Sequence, residues 1–177
     1  MAIINIFRIQ LFLGLLTWAL IAMVYGLPWL KALGRAEAQR AIAALNAFRF
    51  IGLVFVVPGV VGPDLPSGFA MPAAYGDLAT SLLAICAFAL FRFRPLFWAL
   101  VVAFNVVGAV DLIDAIVRTI RFGVPAAAGQ LGAAYIIPIF YVPLLMIAHV
   151  LAFYLLVKGR TAHVTSRITD AGLVHAD

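Results

Sequence analysis

Five apolar runs, at 11–30, 41–61, 73–91, 96–117 and 133–157, follow one another along the chain, each holding few polar residues. Twenty residues of helix rise about 30 Å, the thickness of a bilayer's hydrocarbon core. That core offers no water to backbone N–H and C=O groups, so segments crossing it are helices or closed barrels. No run shows the two-residue alternation of a barrel strand. The expected fold class is all-α, a polytopic membrane protein built as a bundle of five transmembrane helices.

Composition closes off the soluble alternatives. The 177 residues are 66% hydrophobic and 11% charged, with a mean hydropathy of +1.15, against about 45–50% apolar and about 25% charged in soluble domains. Five spans use about 100 residues and leave too few for a separate soluble domain. The expectation is one membrane-embedded domain over 1–177 with a mobile tail at 158–177. A cleaved signal peptide competes for the first run, but its length and the lack of a small-x-small cleavage site favour a retained helix.

The net charge of +5 sits on residues that flank the apolar runs. They read as anchors to anionic lipid head groups and as topology signals rather than as a nucleic-acid surface. One side collects Lys31, Arg35, Arg40, Arg49, Arg92, Arg94, Lys158, Arg160 and Arg167, the other Arg8, Arg118 and Arg121. That bias puts the C-terminus in the cytoplasm and the N-terminus outside. The single cysteine, Cys86, excludes an intrachain disulfide and a cysteine metal cluster.

Ionisable residues inside apolar runs are costly, so chemistry is sought there. Counting from the ends of the runs at about 1.5 Å per residue gives two polar layers. Asp77, Asp111 and Asp114 fall in the outer third, while Arg49 and His149 fall about 9–12 Å above the cytoplasmic boundary, with Asn46 one turn below Arg49. Asp111, Asp114 and Arg118 share a helix face, and Asp114 and Arg118 can pair locally. Asp111 has no basic residue one turn below it, so its partner comes from another helix or it is protonated. Asp77, beside Thr80 and Ser81, is its expected neighbour. Two such carboxylates converging would make a proton-coupled or cation-binding site, and otherwise they lock helix register.

His149 continues a stripe through Pro138, Val142 and Leu145 and faces the bundle, with Asn105 or a backbone carbonyl as its expected partner. A haem needs a second axial ligand, and His163 and His175 lie in the tail. Pro138 and Pro143 each remove a backbone hydrogen bond and mark a kink or hinge. The sequence contains no HExxH, G-x-S-x-G, Walker loop or CxxC. No cofactor and no metal are expected, and an enzyme has little support.

Three stretches, Phe69-Ala70-Met71-Pro72-Ala73-Ala74-Tyr75-Gly76-Asp77-Leu78, Phe104-Asn105-Val106-Val107-Gly108-Ala109-Val110-Asp111-Leu112, and Pro138-Ile139-Phe140-Tyr141-Val142-Pro143 with the later His149, resemble a group of small bacterial integral membrane proteins. That group often reads P-A-G-x-G-D, then W-N-x-x-G-x-x-D-L, then P-x-F-x-V-P with a following His. The likeness spans Arg49 to Leu151 and departs at Ala74, where Gly is usual, and Phe104, where Trp is usual. It implies the bacterial cytoplasmic membrane and points to Asp77, Asn105, Asp111, Pro138, Pro143 and His149, with no activity attached.

The leading functional expectation is a protein that binds a small ligand or ion between helices three, four and five, with a transport role as its extension. Asp77 and Asp111 are the anchors, and Asp114, Asn105, His149 and Arg49 are further candidates. A structural or accessory subunit is the alternative. A membrane enzyme acting on a lipid or isoprenoid, using Arg49 and His149, is the second. The expected partners are membrane lipids and a second copy or another protein.

Overall fold

In the computed structural model, residues 2–173 are described, with side chains through Lys158. Six α-helical segments form, and five helical stretches are long and apolar enough to cross a membrane: α1 (Ile3–Ala32), α2 (Arg35–Val56), α3 (Ser67–Ala89), α4 (Arg94–Arg121) and α5 (Ile137–Lys158). No strand forms among the described residues; Pro58 and Val61 make an isolated bridge. The backbone of α5 runs on as helix to Leu173. The mobile tail expected over 158–177 otherwise lies outside the described residues.

The helices begin and end away from the edges of the apolar runs, because polar residues continue a helix as readily as apolar ones. α1 takes in the polar stretch around Asn5, Arg8 and Gln10, and it continues through Gly26-Leu27-Pro28. A π-helical turn at Ala22–Gly26 absorbs that proline, whose ring displaces the preceding backbone ladder. Trp18 consequently lies near the middle of α1, and its Nε1 donates to the Phe140 carbonyl at 3.0 Å.

α3 begins before its apolar run at 73–91. The Pro-rich segment around Pro66 and Pro72 reads as loop, yet the helix starts at Ser67 and carries Pro72 inside it. Proline has no N–H to meet the carbonyl four residues back, here that of Gly68. Arg118 of α4 supplies a replacement donor, its Nη1 reaching the Gly68 oxygen at 3.0 Å. α2 is α-helical to Asn46 and continues as a 3₁₀-helix over Ala47–Val56. α4 opens with Pro95 in its first turn, where a missing N–H costs nothing.

Before α5, a 3₁₀ segment over Ala128–Tyr135 turns sharply at Gly132 (φ 53°, ψ −131°), where a Cβ would run into the Val60 carbonyl. The Gly62 amide donates to the Gln130 carbonyl at 2.7 Å, tying this segment to the connection between α2 and α3.

α3 packs between α2 and α4, while α1 lies along α5. The buried residues of α3, from Phe69 through Ala73, Asp77, Ser81 and Ala84 to Ala87, recur at helical spacing along one stripe. The apolar core falls into two clusters. One, at the Ser67 end, holds Phe7, Phe55, Phe69, Leu131 and Ile137. The other, at the Arg94 end, holds Ala38, Ala43, Ala84, Ala87, Phe97 and Ala152. A polar layer separates them.

Candidate functional site

Arg49 is the centre of that layer, fully buried on the 3₁₀ part of α2. Its guanidinium has five N–H groups in a fixed fork, and they reach three other helices. Nε donates to Asp77 Oδ1 of α3 at 2.7 Å, and Nη2 to Asp111 Oδ2 of α4 at 2.5 Å. Nη1 meets the Gly108 carbonyl at 3.2 Å and His149 Nε2 of α5 at 3.3 Å.

The tautomer of His149 follows from its second neighbour. Asn105 Nδ2 donates to the Val101 carbonyl at 2.8 Å, so its Oδ1 is the atom facing His149 Nδ1 at 2.9 Å. Nδ1 therefore carries the hydrogen, and Nε2 accepts from Arg49. The ring is neutral, and the cluster holds one positive charge against two carboxylates.

Glycines make the room for this convergence. A Cβ on Gly52 would overlap the Asp77 carboxylate, one on Gly76 the Asp111 carboxylate, and one on Gly108 both His149 and Arg49. Glycine inside a helix costs up to about 1 kcal/mol relative to alanine. Three on one layer mark it as a place where side chains must occupy the backbone's shadow. Ser81 donates to the Ala47 carbonyl at 2.6 Å at the turn where α2 changes its winding.

Directly beside the carboxylates lies a cavity of about 300 Å³. Its wall is almost entirely apolar, with Phe7, Phe55, Phe69, Ala73, Leu112 and Ala115 among its lining, and Asp77 and Asp111 supply charge at its deep end. Arg8 and Thr119 line the part nearer the Ser67 end. Arg49 and His149 do not line it. A second, apolar groove of about 230 Å³ runs beside the π-turn of α1, between Trp18, Ile42 and Leu151.

The two polar layers expected from the sequence are one. Measured from the Ser67 end, Asp77 and Asp111 lie about 15 Å down their helices, His149 about 18 Å and Arg49 about 14 Å. The expectation failed because α2 and α3 begin at Arg35 and Ser67 rather than at 41 and 73, which moves Asp77 toward the middle. The 3₁₀ rise of about 2 Å per residue lengthens the second half of α2. Arg49 is thus a buried bridge and not a flanking topology charge.

Asp114, one turn beyond Asp111 on α4, pairs with Arg118 at 2.5 Å in a part-exposed position. Asn46 is buried one turn before Arg49, its Nδ2 on the Ile42 carbonyl at 3.0 Å and its Oδ1 without a partner. Pro138 borders the cavity in the π-helical turn Ile137–Tyr141, and Pro143 leaves the Ile139 carbonyl free to face Gly14 of α1. The cavity itself lies between α1, α3 and α4, with only Pro138 and Val142 from α5, so it is displaced from the expected site between helices three, four and five. Sequence reading missed Gly52, Gly76 and Gly108, whose interior helical positions were the available signal. It also missed Gln39, which is fully buried and bonds the Ala152 carbonyl at 2.9 Å.

No curated protein and no solved structure matches the chain. A family described as a domain of unknown function (DUF8737) matches residues 6–157, a stretch that contains the whole charge cluster. On that match the chain belongs to the DUF8737 family.

Proposed function

We propose that this chain is an integral membrane protein that binds a small lipophilic molecule in the cavity between α1, α3 and α4, with Asp77 and Asp111 as its polar anchors. The observation that carries the reading is the contact between an apolar cavity of about 300 Å³ and two carboxylates, the buried Asp77 and the part-buried Asp111. A dry engineered cavity of about 150 Å³ already holds benzene, so this one has room for roughly twice that. Carboxylates that served only to lock helices would be packed on all sides, whereas Asp77 and Asp111 each turn part of their surface to the void.

The enzyme reading has less support. Both ring nitrogens of His149 are engaged, by Asn105 and Arg49, and neither Arg49 nor His149 reaches the cavity. The setting is the bacterial cytoplasmic membrane, with the Arg94 end toward the cytoplasm. Lys31, Arg35, Arg40, Arg92, Arg94 and Lys158 gather at that end, and Arg35, Arg40 and Arg94 lie over Trp98, Phe88 and Phe91 as an interfacial belt would. Transport would require the packed Phe97–Phe104 side of the cluster to open.

Native mass spectrometry of gently extracted protein is the test. Wild-type protein is expected to carry a reproducible small-molecule mass that Ala115→Phe, which fills the cavity, excludes. A folded wild-type protein with no such mass, or one retained in Ala115→Phe, sinks the reading. A co-purifying protein in its place favours an accessory subunit.

A further inference from the structure

The charge cluster does not balance. Arg49 brings one positive charge, Asp77 and Asp111 bring two negative ones, and His149 is neutral in the tautomer that Asn105 imposes. Among the described residues, no donor meets Asp77 Oδ2 or Asp111 Oδ1, because Arg49 reaches only the other oxygen of each. A net negative charge near the middle of a bilayer is strongly disfavoured until a cation or a proton joins it.

The groups facing the pair from every side supply no second cation. From α2 comes Arg49 itself. From α5 come His149 and Tyr141, whose hydroxyl turns to the Leu45 carbonyl at 3.4 Å. On α4, Arg118 is committed to Asp114 and to the Gly68 carbonyl. From α1 comes Arg8, which is exposed and lines the opposite part of the cavity.

We propose that the cavity takes a monovalent lipophilic cation, a primary or secondary ammonium on an apolar body of about a dozen non-hydrogen atoms, and exchanges it for one proton at the Asp77–Asp111 pair. This rests on the cavity-binding reading and names the ligand's chemistry. The apolar wall selects an apolar body, and the Asp77 and Asp111 carboxylates that line the deep end accept from N–H donors. Arg8 repels a positive group from the other end and so orients the ligand, ammonium inward. A bare metal ion is a poorer fit, since hard cations want six or more oxygen ligands, and no group of three metal-ligating side chains occurs among the described residues. The exchange balances: one ammonium enters, one proton leaves, and the cluster is neutral in both states. Acid therefore competes with the ligand.

The experiment uses the full chain in phosphatidylcholine nanodiscs. The probes are n-decylammonium, charged below pH 9 as lysine is, and its neutral isostere n-decanol. Thermal stability is followed between pH 5.5 and 8, together with proton release in weak buffer, and Ala115→Phe reports what the lipid alone takes up.

Decylammonium is expected to raise the Tm of wild-type protein and release about one proton per molecule bound. In the acid range its affinity should fall about tenfold per pH unit, the slope of a one-for-one exchange. Decanol should do neither, and Asp111→Asn, in which Arg49 and Asp77 already neutralise each other, should lose decylammonium binding together with the proton release. Equal stabilisation by decanol overturns the cation proposal and leaves the cavity reading standing. Decylammonium binding to wild-type protein without proton release overturns the exchange. Neither probe acting on wild-type protein beyond its effect on Ala115→Phe overturns both readings.

Discussion

The two ends of the bundle solve the packing problem differently. At the Arg94 end α2 to α5 are regular and meet through alanines, with Ala43, Ala84, Ala87 and Ala152 fully buried and Phe97 and Phe104 filling what remains, and the π-turn of α1 at Ala22–Gly26 is the exception. At the Ser67 end larger residues, Phe7, Phe55, Phe69 and Leu131, surround backbone that winds as 3₁₀ turns, a π-turn and the sharp bend at Gly132. Small residues on straight helices let neighbouring backbones approach along their whole contact. Irregular winding breaks the regular spacing of ridges and grooves, and big side chains then enclose a void instead of filling it. The cavity of about 300 Å³ lies at that end for this reason, as the groove of about 230 Å³ lies beside the π-turn of α1, and the charge cluster is the wall between the two core clusters.

Removing the wall should have the largest effect. Arg49→Met leaves the buried Asp77 and the part-buried Asp111 without a counter-charge and should cost about 3 kcal/mol, read as lost yield and a lower Tm in detergent. Adding Asp77→Asn and Asp111→Asn to it should recover most of that loss, because the unpaired charge then disappears. If the triple variant remains as unstable as the single one, the layer holds the two ends together by shape and not by charge.

Next in size is the packing contrast itself. Ala84→Leu has no space and should cost about 2 kcal/mol, whereas Ala115→Leu extends into the cavity and should gain about 1 kcal/mol from the apolar surface it buries. Equal losses at both positions would break the comparison. Asn105→Leu removes the acceptor that orients His149 and should cost about 1 kcal/mol, a loss checked by chemical denaturation and accompanied by a shift of the His149 ring resonances. The smallest change belongs to Asp114→Asn. Its pair with Arg118 is part-exposed at 43% and 32% side-chain accessibility, so the Tm should move by no more than about 0.5 kcal/mol implies.

Much of the fold was legible before any coordinates. Five apolar runs gave five helices, and the burial of Asp77, Asn105, His149 and Arg49 followed from the cost of presenting polar groups to lipid. The local pair Asp114–Arg118 was readable from its spacing, and Asn105 was named among the partners for His149. The helix ends were not readable, because hydropathy marks where a segment stops being apolar and not where it stops being helical. Ser67 to Pro72 shows this best: its prolines read as loop, and Arg118, fifty residues away from Gly68, satisfies the carbonyl that Pro72 leaves open.

Composition and period alone dictated an all-helical chain with five candidate spans and a handful of polar residues forced inward, since the absence of water in hydrocarbon allows few other solutions. The meeting of Asp77 and Asp111 on one guanidinium was decided by packing. It depended on where each helix begins, on the longer rise of a 3₁₀ segment, and on three glycines that let α2, α3 and α4 close around Arg49. Those are distances between helices, and depth along a single helix carries no information about them.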